Sequence, residues 1–221
     1  MSISPKLALL EEYALVARAL SAPARLMLLE QLAQGERGVE ALADKTGLTI
    51  ANCSQHLQQL RRAALVTSRR DGKAVIYRLT DAKTLQLMDL LRVVAERNLA
   101  QVERILRGLS GGEDPPEPVS REDLAARIAE GSVTVLDVRP ADEYATGHIP
   151  GALNMTLTEI ERIVPTLDPA TEIVAYCRGP YCIYAHQAVA ALRKHGLNAR
   201  RLYGGLPEWR EDGLPVLAGT Q

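Results

Sequence analysis

The chain has 221 residues, which is long enough for one large domain or for two of ordinary size. Hydrophobic residues make up 47% and charged residues 24%, the balance of a soluble globular protein rather than of a disordered one. No apolar run approaches the roughly 20 residues that a membrane-spanning helix needs. The first residues also lack the basic and apolar segments of a secretory signal. We therefore expect a cytoplasmic protein with no membrane association.

The net charge of −1 conceals two halves of opposite sign. Residues 1–110 carry 16 Lys and Arg against 11 Asp and Glu, a net of +5, whereas residues 111–221 carry 10 against 16, a net of −6. This asymmetry predicts that only the first half meets a polyanion. The three cysteines, Cys53, Cys177 and Cys182, are too few and too unevenly spaced for a disulfide framework, so we expect a reducing compartment.

The first half is predicted to be mostly helical, with one hairpin. Pro23 and Gly47 are helix start and stop signals, and Asp71-Gly72 is a strong turn signal between two strands. A long helix is expected from Asp81 to about Gly108. The other predicted elements are helices over 25–33, 39–46 and 49–63 and strands over 65–70 and 73–79. This order is typical of a winged helix-turn-helix domain, an α+β fold.

The helix predicted over 49–63 has one apolar and one polar face. At about 100° per residue, Cys53, Leu57, Leu60 and Ala64 form an inward stripe. The opposite face carries amide side chains, among them Gln59, that can pair with base edges. Such a face also fits a merely solvated surface, but basic residues at the hairpin tip can neutralise phosphates and favour DNA. The candidate DNA contacts are Thr49, Asn52, Ser54, Gln55 and Gln58 on the helix and Arg69, Arg70 and Lys73 on the wing.

Over about residues 10–107 the sequence resembles the ArsR family of winged helix repressors. The matching stretches are Leu20-Ser-Ala-Pro-Ala-Arg-Leu26, Ser54-Gln-His-Leu-Gln-Gln-Leu60, Ala64-Leu-Val66 and the wing. The resemblance implies a double-stranded DNA operator and a homodimer paired through the first and last helices of the domain. The apolar side of Thr84–Leu109 fits that pairing role.

Many members of this family sense metals, but the required ligands are missing here. The segment Glu36–Leu42 has no cysteine where the thiol ligands would fall, and the last helix has no histidine. We therefore expect no metal site and no cofactor. Cys53 lies on the inward stripe, so we interpret it first as a small core side chain, with a sensing role as the alternative.

The segment Ser110–Ser120 divides the chain. It holds two glycines, three prolines and three acidic residues, so it cannot bury apolar surface or sustain a helix. We predict a DNA-binding and dimerisation domain over 1–109, a linker over 110–119 and a second domain over 120–221. The second half alternates predicted helices with predicted strands, which indicates an α/β domain whose parallel sheet is covered by helices on both faces. These elements are helices over 121–130 and 182–195 and strands over 133–138, 172–176 and 200–203.

The strand over 172–176 leads directly into a cysteine loop. Cys177 begins the loop, and Cys182 is expected to open the next helix. Ligands bind at the carboxyl ends of parallel strands, where loop amides and a helix N-terminus stabilise an anion. We therefore predict a Cys177 thiolate with a lowered pKa and the Arg178 cation beside it, rather than a buried inert cysteine. The backbone cradle is assigned to Gly179, Tyr181 and Ile183, and Pro180 would remove one amide donor.

Over about residues 118–217 the sequence resembles a single-domain rhodanese. The matching motifs are Leu136-Asp-Val-Arg139, Glu143, Gly147-His-Ile-Pro-Gly-Ala152, the Cys177 loop, Gly204-Gly-Leu-Pro-Glu-Trp209 and Gly213-Leu-Pro-Val216. The resemblance implies that Cys177 takes a sulfane sulfur from thiosulfate, a persulfide or a polysulfide and passes it to an acceptor thiol. We interpret Asp137 and Arg139 as an ion pair or loop braces, His148 as a hydrogen-bonding residue and Trp209 as a core aromatic.

Two features of the loop decide between related chemistries. Phosphatases and arsenate reductases share this fold, but Ile183 occupies the position of the arginine that grips their oxyanion. Cys182 stands where rhodaneses often have Arg or Thr. Either it only begins the helix, or it attacks the Cys177 persulfide, releasing sulfur and leaving a disulfide or a sulfur-bridged pair.

The sequence thus predicts a dimeric DNA-binding regulator, a repressor, that senses reactive sulfur through a persulfide on Cys177. The alternative is a sulfurtransferase that uses thiosulfate or a persulfide, with the DNA-binding domain as a tether. A third hypothesis makes the second domain a binding module without turnover.

Overall fold

A computed structural model describes residues 4–112, 114–179 and 181–219. The chain forms two compact units, Met1–Met88 and Asp89–Gln221. The division falls within the helix Lys83–Asn98 and not in the segment over 110–119. The domain boundaries at 109 and 120 therefore stay a prediction.

The first unit confirms the winged helix-turn-helix order. Its described elements are α1 (Pro5–Leu20), α2 (Pro23–Ala33), β1 (Arg37–Gly38), α3 (Val39–Thr46), α4 (Ile50–Arg62), β2 (Val66–Asp71) and β3 (Ala74–Leu79). The strands form an antiparallel sheet in the order β1-β3-β2, of which β1 was not predicted. Gly47 ends α3 with a φ of +68°, a conformation that glycine adopts easily, and so turns the chain toward α4. Leu28, Leu42 and Leu57 are fully buried between these helices.

The long helix predicted from Asp81 to Gly108 is two helices, α5 (Lys83–Asn98) and α6 (Ala100–Leu109). The prediction of one helix was wrong because Leu99 leaves the helical conformation, with φ −112° and ψ 100°. Asn98 precedes the break and bonds back to the Val94 carbonyl, which is typical of residues that favour helix ends.

The second unit contains a parallel sheet with the strand order β5-β4-β6-β7. From Arg121 onward its elements are α7 (Arg121–Glu130), β4 (Val133–Asp137), α8 (Ala141–Thr146), β5 (Leu153–Asn154), α9 (Ile160–Ile163), β6 (Glu172–Tyr176), α10 (Tyr184–Lys194), β7 (Ala199–Arg201) and α11 (Leu206–Glu211). Short 3₁₀ turns flank α9 at Leu157–Glu159 and Val164–Thr166. The α/β fold class is confirmed, whereas α8, β5, α9 and α11 were not predicted.

Alternation along β6 places the first cysteine of the loop on a definite face. Ile173 and Ala175 pack with α10 residues such as Leu192 on one side of the sheet, and Cys177 continues that face. Val174 and Tyr176 face the other side and pack with Trp209 of α11. Both faces are covered by helices, as the near-continuous apolar sequence of the strand predicts.

Candidate DNA-binding surface and cysteine loop

The recognition helix α4 is defined by its cap and its buried stripe. The Thr49 hydroxyl accepts a hydrogen bond from the Asn52 N–H at 3.3 Å, which satisfies an amide at the helix start. Cys53, Leu57 and Leu60 are fully buried, as the sequence periodicity predicts. The prediction was wrong for Ala64, which is exposed because α4 ends at Arg62 and Ala64 has a φ of +54°. The stripe fixes the rotation of α4, so the polar face points away from the core.

Most of the predicted base-reading residues lie on accessible surface. Thr49, Asn52 and Gln55 are exposed, whereas Ser54 and Gln58 are half-buried. The Gln58 carboxamide oxygen accepts a hydrogen bond from Arg61 at 2.7 Å, so this side chain already has a partner. The helix therefore presents its most accessible polar groups in its first turns, the part of a recognition helix that normally enters the major groove.

The wing cations differ in how they are paired. Arg69 contacts Glu36 and Asp71, each at 3.1 Å, although its side chain is 55% exposed. Arg70 and Lys73 are exposed, and no partner is recorded for either among the residues that the structure describes. The sequence treated the three cations alike, whereas Arg69 would have to leave its two carboxylates before it could meet a phosphate.

A buried arginine, to which the sequence assigned no role, holds helix α4 in place. The Arg25 side chain donates to the Ala19 carbonyl and to the Gln59 carboxamide oxygen, both at 2.5 Å. Gln59 was expected on the exposed polar face, and instead it is half-buried against α2. Arg25 and Gln59 are 34 residues apart, so the periodicity of the sequence does not predict their contact. The one sequence feature that singled out Arg25 was its position in the ArsR-like stretch.

Cys53 is a core residue in this structure. It is fully buried, and its sulfur lies 3.7 Å from the Val39 carbonyl oxygen. Burial raises the pKa of the Cys53 thiol, which disfavours the reactive thiolate. This environment supports the core interpretation.

The second unit places two cysteines together at the carboxyl end of β6. Cys177 and Cys182 form a disulfide, with their Cα atoms 6.3 Å apart. The Cys182 N–H donates to the Gly179 carbonyl at 3.1 Å, a turn that brings the two ends of the loop together. A disulfide has no titratable thiol, so the predicted thiolate applies to the reduced form of the protein.

The expectation that Cys182 opens the helix was wrong. Helix α10 begins at Tyr184, and Ile183 occupies the capping position before it. Cys182 therefore belongs to the loop itself. The side chain of Ile183 is 44% exposed, whereas Gly179 is buried and Tyr181 is half-buried. Pro180 lies outside the described residues.

The loop is shielded from solvent. Cys177 is 1% exposed and Cys182 is 7% exposed, and both pack with aliphatic side chains of the sheet and of α10, including Leu136, Ala185 and Ala188. This packing is less open than the sequence predicts for a cysteine that meets small donors. In the disulfide form, Cys177 and Cys182 are consequently almost inaccessible to solvent.

Arg178 is not a free cation. Its guanidinium forms a two-point ion pair with Glu143, at 2.9 and 3.0 Å, and the Glu143 side chain is fully buried. The Arg178 guanidinium also lies 5.5 Å from the ring centre of Tyr184. The carboxylate partner comes from α8, 35 residues away in the chain, and was not predicted. Glu143 holds the arginine in place and cancels most of its charge.

A buried polar network supports the strand that ends at Cys177. Arg139 pairs with Asp137, with Nε 2.9 Å from Oδ1, and both side chains are fully buried, which confirms the predicted ion pair. The Tyr176 hydroxyl donates to Asp137 at 2.6 Å and accepts from the Ile149 N–H at 3.0 Å. Burial, followed by the charge of Asp137, raises the pKa of Tyr176. The phenol therefore stays protonated and fixes β6 next to the loop.

The segment after β7 is interlocked with the cysteine loop. The Leu206 N–H donates to the Cys177 carbonyl at 3.3 Å. A side chain on Gly205 would collide with the Cys177 carbonyl and the Gly179 amide, so only glycine allows this approach. The Glu208 carboxylate accepts from the Gly205 N–H at 2.8 Å and lies over Gly179. The spacing of Gly205 and Glu208, three residues apart at a helix start, resembles a capping box and was the available sequence signal.

Glu208 is an unusual acid at this position. Its pKa is raised to about 7, mainly because burial disfavours the charged form, while the Gly205 amide and Arg121 oppose the shift and Asp89 adds to it. Its protonation therefore changes near neutral pH beside the loop.

Two further motif residues have structural roles. His148 is buried, its Nδ1 lies 3.0 Å from the Tyr144 carbonyl and its ring stacks on Tyr144 at 3.8 Å. The Trp209 indole donates to the Pro215 carbonyl at 2.8 Å and is 1% exposed. Both observations confirm the structural interpretation. In the described ranges, no group of three His, Cys, Asp or Glu side chains is arranged to hold a metal ion, and no helix is long and apolar enough to cross a bilayer.

Comparisons with known proteins match both units. The model of the rhodanese-like domain matches residues 120–212, and that of a helix-turn-helix domain matches residues 20–69. The HTH-type transcriptional regulator Rv0324 of Mycobacterium tuberculosis is 42% identical over 215 residues, which cover 97% of this chain and 94% of the relative. The biofilm growth-associated repressor of Agrobacterium fabrum is 40% identical over 38% of this chain and 71% of its own length.

Solved structures also resemble each half. The homodimeric winged helix-turn-helix DNA-binding domain of a possible ArsR-family regulator from Mycobacterium bovis is 40% identical, covering 45% of this chain and 92% of that chain, with a TM-score of 0.41. A rhodanese-related protein from Thermoplasma volcanium is 29% identical, covering 46% of this chain and 97% of that chain, also with a TM-score of 0.41.

Helix α4 and the wing define a winged helix-turn-helix domain. The parallel sheet with its cysteine loop defines a rhodanese-like domain fused to it. With a relative that matches it over nearly its whole length, the chain belongs to the HTH-type transcriptional regulators, and it has a C-terminal rhodanese-like domain.

Proposed function

We propose that this regulator is a dimeric DNA-binding repressor that senses reactive sulfur through Cys177, with Cys182 as the resolving thiol. The observation that carries the proposal is the pairing of the two cysteines in one loop at the carboxyl end of β6, in a chain that belongs to a family of transcriptional regulators. As a DNA-binding protein it would act in the cytoplasm, where the operator is.

The first chemical step loads sulfur onto the reduced loop. The Cys177 thiolate attacks the outer sulfur of thiosulfate, the S–S bond of the donor breaks and sulfite leaves with its electron pair. Cys177 then carries a persulfide anion. A low-molecular-weight persulfide or a polysulfide donates in the same way, and its thiolate fragment leaves.

The second step closes the loop. The Cys182 sulfur attacks the inner sulfur of the Cys177 persulfide, and the outer sulfur leaves as hydrosulfide, which takes the Cys182 proton. Two cysteines are oxidised to a disulfide and the sulfane sulfur is reduced to sulfide, so no other oxidant is needed. Because Cys177 is only 1% exposed in the disulfide, the closed product is protected from a second donor.

The DNA-binding end would use the polar groups of α4 and the cations of the wing. Base contacts are assigned to Thr49, Asn52, Ser54, Gln55 and Gln58, and phosphate contacts to Arg69, Arg70 and Lys73. Dimerisation is assigned to α1 and to the helices after the wing, since both present large exposed apolar side chains. These include Leu7, Leu10 and Tyr13 on α1, Leu87, Leu90, Leu91 and Val94 on α5, and Ile105 on α6.

The test is DNA affinity with and without sulfane sulfur. Reduced protein is expected to bind a duplex selected from a random pool, and addition of thiosulfate or polysulfide is expected to weaken binding. Cys177→Ser should abolish the response, Cys182→Ser should retain a persulfide detected by mass spectrometry, and Cys53→Ser is the matched control that should respond normally. An unchanged affinity in fully loaded wild-type protein would contradict sensing, and rapid thiosulfate:cyanide turnover in that case would indicate a sulfurtransferase tethered to DNA.

A further inference from the structure

Tyr203 connects helix α5 to the segment that packs on the cysteine loop. The Arg92 guanidinium of α5 donates to the Tyr203 hydroxyl at 3.1 Å, and that hydroxyl lies 3.4 Å from an Asp89 carboxylate oxygen. The Arg92 guanidinium also stands 5.3 Å from the centre of the Tyr203 ring. All of these residues belong to the second compact unit.

The α5 side of this contact is ordered by its own ion pairs. Arg92 lies 2.7 Å from Asp89 and 2.6 Å from Glu96, one turn before and one turn after it, and its side chain is only 15% exposed. Such a side chain has little freedom left to lose, so its bond to Tyr203 orders few additional groups. The backbone of Tyr203 is held separately, because Arg121 donates to its carbonyl at 3.2 Å.

The loop side of the contact begins two residues later. Gly205 touches the backbone of Cys177 and Gly179 so closely that no side chain would fit between them. The Leu206 N–H bonds to the Cys177 carbonyl, and the Glu208 carboxylate lies over Gly179. No free space separates the loop backbone from Gly205, so movement of the loop toward this segment must displace the segment.

Sulfur chemistry at the loop changes the volume that its two cysteines occupy. In the disulfide the two sulfur atoms are bonded, whereas in the reduced form they are separated by at least a van der Waals contact. In the persulfide Cys177 also carries one more atom. Because Cys177 and Cys182 are packed among aliphatic side chains, the added volume has to be accommodated by those side chains and by the backbone of the loop.

We propose that Tyr203 couples the sulfur state of the Cys177–Cys182 loop to helix α5. Movement of the loop displaces Gly205 and Tyr203, which changes the bonds to Arg92 and Asp89. The first turns of the same helix, Lys83–Met88, belong to the first unit, where Thr84 and Met88 are buried. The inference rests on the proposed function, and α5 is the covalent route by which the loop reaches the DNA-binding unit.

Hydrogen exchange tests the coupling without DNA. The full chain is compared in its reduced and disulfide forms, and we expect the protection of amides 89–98 to differ between them. Tyr203→Phe retains the ring but removes both hydroxyl contacts, so the difference should shrink toward zero while the disulfide still forms. Identical exchange of these amides in the two forms of the wild-type protein would overturn the coupling, whatever DNA affinity does.

DNA affinity then tests the regulatory consequence. Coupling between two sites usually changes affinity by about 5- to 150-fold. We therefore compare the DNA affinity of the reduced protein with that of the disulfide form, and we expect Tyr203→Phe and Arg92→Gln to bring the ratio of these two affinities close to 1. Affinity of the reduced form and sulfur loading of Cys177 should be unchanged in both variants. Arg162→Gln, which removes an arginine that is 74% exposed and paired with Glu159, is the control that should keep the wild-type ratio.

The two failures remain distinguishable. A wild-type protein whose DNA affinity ignores sulfur would refute the proposed function, although the exchange experiment would still decide the coupling. A wild-type response that survives in both variants would refute the role of Tyr203 and leave the proposed function standing.

Discussion

The surface around α4 and the loop around Cys177 hold their polar groups in opposite ways. On the first, Asn52, Gln55, Arg70 and Lys73 are exposed, so each is available to an external partner. Around the second, Arg178 has a buried carboxylate partner. The first arrangement can bind a polyanion without reorganising, whereas the second must be opened or displaced before it meets a ligand. The difference teaches that neighbouring polar groups can be kept open to solvent or satisfied within the fold, and that only the second kind must break internal bonds before it can take an external ligand.

The largest expected effect comes from breaking the buried pairing behind the loop. Arg139→Ala leaves the fully buried Asp137 carboxylate without its cation. Removing one partner of a buried pair typically costs about 3–5 kcal/mol of unfolding free energy. The measurement is urea unfolding of the second unit followed by Trp209, the chain's one tryptophan, which is buried in that unit. Arg162→Ala, at an exposed pair, should change stability by less than about 0.5 kcal/mol. A loss below 1 kcal/mol for Arg139→Ala would mean that the network is dispensable.

Glu208 should make the stability of the second unit depend on pH. Its pKa is about 7 in the folded protein against an ordinary value of 4.5, so the folded form keeps a proton that the unfolded form loses. The contribution to unfolding free energy is therefore full below pH 4.5 and is lost as the pH rises through 7, by up to about 3 kcal/mol.

The matched variant for this prediction is Glu208→Gln, which is uncharged at every pH. His186, whose pKa is lowered to about 4 by burial and by Arg201 and Arg92, titrates in both proteins and cancels in the difference. Stability of the wild type relative to the variant should fall between pH 4.5 and pH 7. A difference that is constant over this range would show that the carboxyl is solvated.

Gly205 tests how tightly the loop is interlocked. Gly205→Ala forces a Cβ against the backbone of Cys177 and Gly179, and overpacking of this kind typically costs about 1–3 kcal/mol. Gly108→Ala is the matched control, since nothing lies within 4 Å of its Cβ position and a helical alanine stabilises by up to about 1 kcal/mol. Urea unfolding followed by Trp209 measures both. Equal effects of the two substitutions would mean that the loop has room to move.

The two regions also differ in how well sequence predicts them. The rotation of α4 follows from its own periodicity, so the burial of Cys53 and Leu57 and the exposure of Asn52 and Gln55 could be deduced locally. Around Cys177 only the strand, the loop and the Asp137–Arg139 pair were deducible. Glu143 reaches the loop from a distant segment, and the spacing of the sequence has no signal for that contact. For Glu208 the sequence offered only its capping distance from Gly205, and not its approach to Gly179. The break at Leu99 was missed because the apolar pattern continues across it.

The smallest expected effect is on the salt dependence of DNA affinity, and it comes from substitutions in the wing. It tests whether exposure or internal pairing decides which cations meet DNA. Arg70→Gln removes an exposed cation with no recorded partner in the described chain, and the slope of log affinity against log salt should fall by about 1. Arg69→Gln should reduce the slope by less, because Arg69 already contacts Glu36 and Asp71. The measurement is DNA affinity of the reduced protein at several salt concentrations, on both a selected and an unrelated duplex. A contact to phosphate does not depend on base sequence, so each substitution should change the slope equally on the two duplexes. If Arg69→Gln had the larger effect, pairing within the wing would not determine which cations meet DNA, and exposure alone would be the better guide.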